Sequence, residues 1–293
     1  MKRFICMVVL ASVLIMGAFA AESEAVPLRS ALEEIGMVVE WSENGSMNLL
    51  VDDLKIGCSI GMNTLSTSEK TYVMSSDLFL EDDRSYISVD GVTLIKNIIA
   101  YNRAVIDSII ADQDEILPLK SIDTDQEVLV CTWHRYPDSY QDGEVISAEY
   151  GEVWVFTAGE IEEFMQRSAQ SEDMVLRLEQ LIGLPPQKGN THFSYLWVSP
   201  KDLFRPAPDN EITDNVAQLT FPQTATSQYK NWFNANSVYS YQLHKFPWTR
   251  LGYTYDWSDS ESEYGLSEFI VKAGSSMRVE KTYTNGEFFA NFS

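Results

Sequence analysis

Residues 26–36 have the sequence VPLRSALEEIG, and this stretch predicts how the folded part of the chain begins. Leu28, Leu32 and Ile35 recur at helical spacing, so we expect a short amphipathic helix. Pro27 suits the start of a helix, because the backbone N–H that proline lacks would have no partner there. Gly36 follows the last apolar residue, where a left-handed backbone conformation commonly ends a helix.

Short strands and a second helix are expected next. Residues 37–41 and 47–51 are apolar runs separated by Asn44-Gly45, a dipeptide typical of hairpin turns. Residues 94–110 carry an apolar stripe with the period of a helix, which we interpret as a surface that faces the core. Its members are Leu94, Ile95, Ile98, Ile99, Asn102, Val105, Ile106, Ile109 and Ile110.

This order of elements resembles the copper amine oxidase N-terminal-like domain of exported bacterial proteins. The residues that match the family pattern are Val26-Pro27-Leu28-Arg29, Gly36, Trp41 and Arg84-Ser85-Tyr86-Ile87-Ser88-Val89. The resemblance covers residues 25–115 and implies an α+β fold, with a small antiparallel sheet wrapped on a helix. In the oxidases this domain is a stalk, and the copper and the quinone lie elsewhere.

The oxidase chemistry itself is not expected in this chain. The family's quinone precursor is a tyrosine in a T-x-x-N-Y-[DE] setting, and the sequence has no such stretch. Copper sites use several imidazoles, whereas His134, His192 and His244 are widely separated. We therefore predict no amine oxidase activity and no cofactor.

The first twenty residues have the pattern of an export signal. Lys2 and Arg3 precede an apolar run, and Ala18 and Ala20 place small residues where a signal peptidase reads them. We predict a signal peptide at residues 1–20 and an exported protein of the periplasm, the cell surface or the extracellular space. An uncleaved anchor is the alternative. No later stretch is apolar enough to span a membrane.

The charge of the chain excludes one class of partner. Cleavage would remove Lys2 and Arg3 from the 21 basic residues and leave all 43 acidic ones, a net charge of −24. Such a surface repels phosphate backbones, so we predict no nucleic acid partner.

Composition and spacing predict two α+β domains, each a small, mainly antiparallel sheet packed with one or two helices. We place the first domain at residues 21–117, an acidic linker at 118–126 and the second domain at 127–293. In the second domain, residues 128–133 and 153–156 read as strands, and Thr157-Ala158-Gly159-Glu160 reads as a capping box that opens a helix. Cys58 and Cys131 remain after cleavage, either as a disulfide or as two buried thiols, one in each domain.

Aromatic residues supply the first candidate binding site. Tyr253, Tyr255 and Trp257 alternate, which puts them on one face of a strand, and Tyr239 and Tyr241 alternate on a preceding strand. An open face would be a stacking platform for sugar rings, whereas a closed one would be a sheet core.

Charged residues supply two weaker candidates. Arg205 lies in a proline-rich loop and could bind a carboxylate or phosphate, or form an internal salt bridge. Asp256, Asp259, Glu261 and Glu263 could offer oxygens to calcium, or belong to a solvated loop. We otherwise predict no metal site.

We identify no catalytic residues. The sequence has no G-x-S-x-G motif, and an acidic chain brings carboxylates such as Glu160, Glu163 and Glu268 together by chance. The function expected is that of a non-catalytic envelope or secreted protein that binds a cell-wall glycan or an envelope protein. The alternative is a secreted hydrolase with its site in the C-terminal domain, built on Cys131 or an acid pair near a histidine.

Overall fold

The computed structural model describes residues 24–168, 171–258 and 262–292. The predicted signal peptide at residues 1–20 lies outside the described residues. Two units follow one another along the chain, and each is built on its own antiparallel sheets. The predicted α+β fold class is confirmed.

The first unit contains a five-stranded and a three-stranded sheet. Its elements are β1 (Ala25–Pro27), α1 (Leu28–Glu33), β2 (Val38–Trp41), β3 (Ser46–Val51), β4 (Leu54–Ser59), β5 (Thr64–Ser66), β6 (Thr71–Val73), β7 (Phe79–Glu81), β8 (Arg84–Ser88) and α2 (Val89–Asp107). Strands β2 to β6 pair in chain order, and β8 lies between β1 and β7.

In the first unit, the expected helix end and hairpin turn occur at the predicted residues. Helix α1 is followed by Gly36 at φ +82°, a conformation that glycine adopts without steric cost. Asn44 and Gly45 both have positive φ and join β2 to β3, so that Trp41 pairs with Met47. The pairing of β1 with β8 puts Val26 opposite Ile87, which brings the two family-like segments side by side.

The structure of α2 contradicts part of the apolar stripe predicted for residues 94–110. Ile95, Ile98 and Ile99 are buried as expected. Ile106, Ile109 and Ile110 are 46%, 47% and 68% exposed, so the prediction that they face the core is wrong. The helix ends at Asp107, before Ile109 and Ile110. Its earlier turns pack in the core of the first unit, whereas Ala104 and Val105 of its last turns pack with Trp257 of the second unit.

In the part of the chain that the structure describes, the second unit is an eight-stranded antiparallel sheet with four α-helices. Its elements are β9 (Val128–His134), β10 (Val145–Ser147), β11 (Val153–Thr157), α3 (Ala158–Ser168), α4 (Met174–Leu181), β12 (His192–Val198), β13 (Leu203–Phe204), α5 (Ser227–Val238), β14 (Tyr253–Tyr255), β15 (Tyr264–Val271), β16 (Ser276–Thr284) and α6 (Asn285–Ala290). The strand order is β10, β16, β12, β9, β11, β15, β13, with β14 also paired to β15.

The capping box that opens α3 forms with one change. Thr157 Oγ1 accepts from the backbone N–H of Glu160 at 3.3 Å, as predicted. The Glu160 carboxylate contacts the Thr157 hydroxyl at 2.9 Å, and it also accepts from the backbone N–H of Ser267 in β15 at 3.1 Å. The cap therefore ties the start of α3 to the sheet.

The segment predicted as a linker packs against the second unit. Leu119 and Ile122 are buried, and their backbone N–H groups donate to the carbonyls of Asn215 and Ile212. Apolar residues at 119 and 122 outweigh the acidic composition of residues 118–126, because their burial removes apolar surface from water. Residues 118–126 are thus fastened to the second unit rather than extended between the two.

Helix α2 joins the two units. Tyr101 of α2 donates to the carbonyl of Lys245 at 2.7 Å and packs edge-on against Trp257. Lys70 Nζ donates to the carbonyls of Pro186 and Gln187 at 2.6 and 2.5 Å. Within the described residues, no helix has the length and apolar character needed to cross a membrane.

The two cysteines occupy separate cores. Cys58 is buried in the first unit and Cys131 in the second, and both are free thiols. The disulfide alternative does not form, and the alternative of two buried thiols describes the structure. Burial raises the pKa of Cys58 to about 12 and that of Cys131 well above its ordinary value.

We therefore expect both thiols to resist iodoacetamide at pH 8 in the native protein, since the reactive thiolate is scarce and inaccessible. In denaturant without reductant, mass spectrometry should show two alkylated cysteines on the mature chain. A chain that gains no adduct until reductant is added would contain the disulfide and contradict this structure.

Candidate functional site

The central sheet of the second unit opens between β9 and β11. The two strands pair only at Phe156 with Cys131 and Thr157 with Val130. Residues 132–134 of β9 stay paired with β12, whereas residues 153–155 of β11 stay paired with β15. A cavity of about 680 Å³ lies at this opening, a volume typical of sites for small organic ligands.

Aromatic side chains form much of the cavity wall. They include Trp133, Trp154, Phe156, Tyr239, Phe246, Trp248, Tyr253 and Tyr255. The rings of Trp154 and Trp248 meet edge-on with their centroids 6.1 Å apart. Phe233 of α5 supports Trp248 from behind, at a centroid distance of 4.8 Å. The sheet and α5 therefore hold this indole pair in place.

Glu268 places a carboxyl group in the cavity wall. It lies in β15 opposite Phe156 and is half-buried. Burial raises its pKa to about 8. The carboxyl group has no hydrogen-bond or ion-pair partner among the described residues. At neutral pH it is therefore mostly protonated and can both donate and accept a hydrogen bond.

Two further polar atoms near the cavity lack partners. Trp248 Nε1 and Asn236 Nδ2 are buried, and neither has a hydrogen-bond partner within the described part of the chain. Both residues line the cavity. Since a buried donor without a partner costs about 1–3 kcal/mol, each such group needs an explanation, and a bound ligand that accepts the hydrogen bond is one.

His134 does not act as a base toward the serine beside it. The backbone N–H of Tyr136 donates to Nδ1 of His134 at 3.1 Å, so the ring proton is on Nε2. Nε2 then donates to Ser194 Oγ at 2.7 Å, and Ser194 donates to Thr282 Oγ1 at 2.7 Å. Burial, with a smaller effect of His192, lowers the pKa of His134 to about 4.

Cys131 likewise offers no nucleophile. It is fully buried in the sheet, and burial raises the pKa of its thiol. The arrangement therefore supplies neither an activated serine at His134 nor a thiolate at Cys131.

The structure separates the aromatic residues that the sequence grouped. Tyr239, Tyr253 and Tyr255 line the cavity, whereas Tyr241 and Trp257 do not. Tyr253 and Trp257 are buried, and Tyr255 is half-buried with its hydroxyl donating to Asp107 at 2.8 Å. The open stacking platform is therefore wrong, and the aromatic face is internal.

The strand predicted for Tyr239 and Tyr241 is also wrong. Residues Tyr239–Leu243 form a π-helical turn that continues α5. Their alternation imitated a strand, but Thr226 caps α5 by accepting from the backbone N–H of Tyr229 at 3.1 Å. A capping threonine followed by Tyr229, Trp232 and Phe233 at helical spacing is the signal that would have found α5.

Arg205 is a structural residue. It is fully buried, and its guanidinium donates to the carbonyls of Lys120, Glu211 and Asp214 at 3.0–3.1 Å. These bonds take the place of the predicted internal salt bridge, since Arg205 forms no ion pair within the described residues, and its Nη1 is buried there without a hydrogen-bond partner. Gly252 lies so close that a Cβ there would stand 2.7 Å from the Arg205 side chain.

The proposed calcium ligands do not come together. Arg177 contacts both oxygens of Asp256, at 3.1 and 2.5 Å, so a cation would have to displace the guanidinium. Glu263 accepts from the Tyr253 hydroxyl at 2.9 Å. Asp259 and Glu261 lie outside the described residues. Where the structure describes side chains, no three His, Cys, Asp or Glu residues form a group able to hold a metal.

Replacing Arg205 with methionine should destabilise the protein by about 3–5 kcal/mol, because three backbone carbonyls would lose the donors of a fully buried side chain. Urea unfolding of the full chain measures this. Arg278→Met is the matched control: Arg278 is an exposed partner of Glu280, and its removal should cost at most about 1 kcal/mol. Equal losses in the two variants would contradict the role given to Arg205.

The raised pKa of Glu268 predicts a pH-dependent stability. The unfolded chain ionises this carboxyl near its ordinary pKa, whereas the folded chain keeps it protonated to about pH 8. The free energy of unfolding therefore falls as pH rises across this window, and glutamine removes the loss. Urea unfolding should show Glu268→Gln gaining stability over the wild type between about pH 5 and pH 8.

Glu287 provides a control of opposite sign. Its carboxylate accepts from the Thr284 backbone N–H and hydroxyl, and these bonds lower its pKa. Glu287→Gln should therefore become less stable than the wild type as pH rises through the ordinary range of a carboxyl. A stability difference for Glu268→Gln that does not change with pH would show that Glu268 is ionised in the folded protein.

Comparison with known proteins assigns a family model to one part of the chain. No curated protein matches the chain. Residues 19–102 match the copper amine oxidase N-terminal domain, a range that covers β1 through most of α2. The resemblance predicted from the Val26–Arg29 and Arg84–Val89 segments is confirmed: this N-terminal segment is similar to the copper amine oxidase N-terminal domain.

Proposed function

We propose that this protein is an exported, non-catalytic binding protein of the cell envelope, and that the cavity of its second unit holds part of a cell-wall glycan. The observation that carries the proposal is the combination of aromatic walls with the Glu268 carboxyl, which has no hydrogen-bond or ion-pair partner within the described residues. Sugar rings present apolar C–H faces that stack on indoles, and hydroxyls that exchange hydrogen bonds with such a carboxyl.

The donors without partners support the same class of ligand. Trp248 Nε1 and Asn236 Nδ2 would gain acceptors from sugar hydroxyls after small local movements. The first unit, which resembles a stalk, would contribute to attachment.

The test uses the full mature chain and the N-acetylglucosamine–N-acetylmuramic acid disaccharide released from purified sacculi. We expect binding that changes tryptophan fluorescence, since Trp154 and Trp248 line the cavity. Trp154→Ala should weaken binding by about tenfold or more, as loss of a central aromatic contact does.

Trp197→Ala is the matched control. Trp197 is also a half-buried tryptophan of the same sheet, but it lies on β12 outside the cavity and donates to Glu280. Its replacement should leave the dissociation constant unchanged. The proposal fails if the disaccharide does not bind, or if the two tryptophan variants lose affinity equally.

A further inference from the structure

A second concave surface lies between the two units. This cleft has a volume of about 960 Å³, and residues from α2, the β4–β6 region and the 185–188 and 241–246 segments line it. It adjoins the cavity, since Arg135, Lys188, His244 and Phe246 line both.

The cleft concentrates positive charge in a strongly acidic protein. Five cations line it, namely Lys55, Lys70, Arg135, Lys188 and Lys245, against the two carboxylates of Asp53 and Glu69. The chain as a whole has 43 acidic and 21 basic residues. A random surface of this composition would show the opposite balance, so the cleft is a local reversal of the field.

Within the described residues these cations form no ion pair, although Lys70 donates to the carbonyls of Pro186 and Gln187 and Arg135 to that of Lys188. Burial lowers the pKa of Lys70 to about 8; the Glu179 carboxylate opposes this shift, while Lys188 and Arg135 add to it. The like charges are therefore close enough to repel one another, and an anion between them would relieve that repulsion.

Part of the lining of the cleft is apolar. Ile106 and Ile109, at the end of α2, line it and are nearly half exposed. Phe246 also lines the cleft, and Lys188 Nζ lies 4.8 Å from its ring centroid. A ligand in this cleft thus has both hydrocarbon and ammonium or guanidinium groups within its lining.

We propose that the cleft between the units binds an amphipathic anion, a carboxylate attached to an apolar body, with its head among Lys70, Arg135 and Lys188 and its body on Ile106 and Ile109. Charge complementarity selects the acidic head, and the exposed isoleucines select the apolar body. A long polyanion is disfavoured, because beyond the cleft it would meet the acidic surface. This site goes beyond the cavity and does not rest on its ligand.

Isothermal titration of the full mature chain with four probes tests the proposal. The probes are decanoate, decyl phosphate, 1-decanol and acetate, each kept below any micelle-forming concentration. We expect decanoate to bind at least about tenfold more tightly than 1-decanol, which lacks the charge, and than acetate, which lacks the body. Decyl phosphate binding more tightly than decanoate would assign the site to a phosphate head and overturn the carboxylate.

Variants test the charged and the apolar parts of the cleft lining separately. Lys188→Gln should weaken decanoate binding by about tenfold, since its Nζ has no protein hydrogen-bond partner within the described residues. Ile106→Gln should weaken decanoate binding by a similar factor, because it removes part of the apolar lining. These side chains are exposed or half-buried, so the variants should fold.

Matched controls lie on the same helix or just beyond it. Lys96 and Ile110 are exposed and do not line the cleft, so Lys96→Gln and Ile110→Gln should leave decanoate binding unchanged. The proposal is overturned if decanoate does not bind, if 1-decanol binds equally well, or if the control variants lose as much affinity. Trp154→Ala should keep decanoate binding, which distinguishes failure here from failure of the cavity.

Discussion

The short contact between β9 and β11 is the constraint on which the cavity depends. Beyond Cys131, β9 follows β12, held there by the bond from Trp133 Nε1 to Asn285 at 2.9 Å and by Asn190, which donates to the Trp133 carbonyl at 2.8 Å. β11 instead follows β15. Two strands fastened to different neighbours must diverge, and side chains such as Trp154 and Glu268 then border a space that a continuous sheet would have filled.

Electrostatics distinguishes the two concave surfaces. In the cavity, the carboxyl of Glu268 is kept neutral by burial, because no cation is close enough to stabilise its ionised form. In the cleft, Lys70 and Lys188 remain near one another with few counter-charges. The cavity thus contains a carboxyl group without a nearby cation, and the cleft contains cations with few nearby carboxylates. The two surfaces therefore suit ligands of different chemistry.

Much of the first unit could be predicted from sequence because its signals are local. Pro27, Gly36 and Asn44-Gly45 act through their own backbone preferences, and the period of α2 is visible within one segment. The cavity could not be predicted, since Trp154 and Glu268 approach only through strand pairing. Glu268 looked like one carboxylate among many. Ile106 and Ile109 fitted the apolar stripe predicted for residues 94–110. Which part of this segment packs against the sheet of the first unit is set by tertiary structure.

The bonds between α2 and the second unit bear on how the protein could be divided. Tyr255 bonds to Asp107, Tyr241 to the carbonyl of Ser108, and Trp257 packs in a cluster with Tyr101. The boundary between the two units therefore does not coincide with the end of α2. A fragment that begins after this helix would expose Trp257 to water and lose these partners. A C-terminal fragment that is to keep these native contacts must therefore include the last turns of α2.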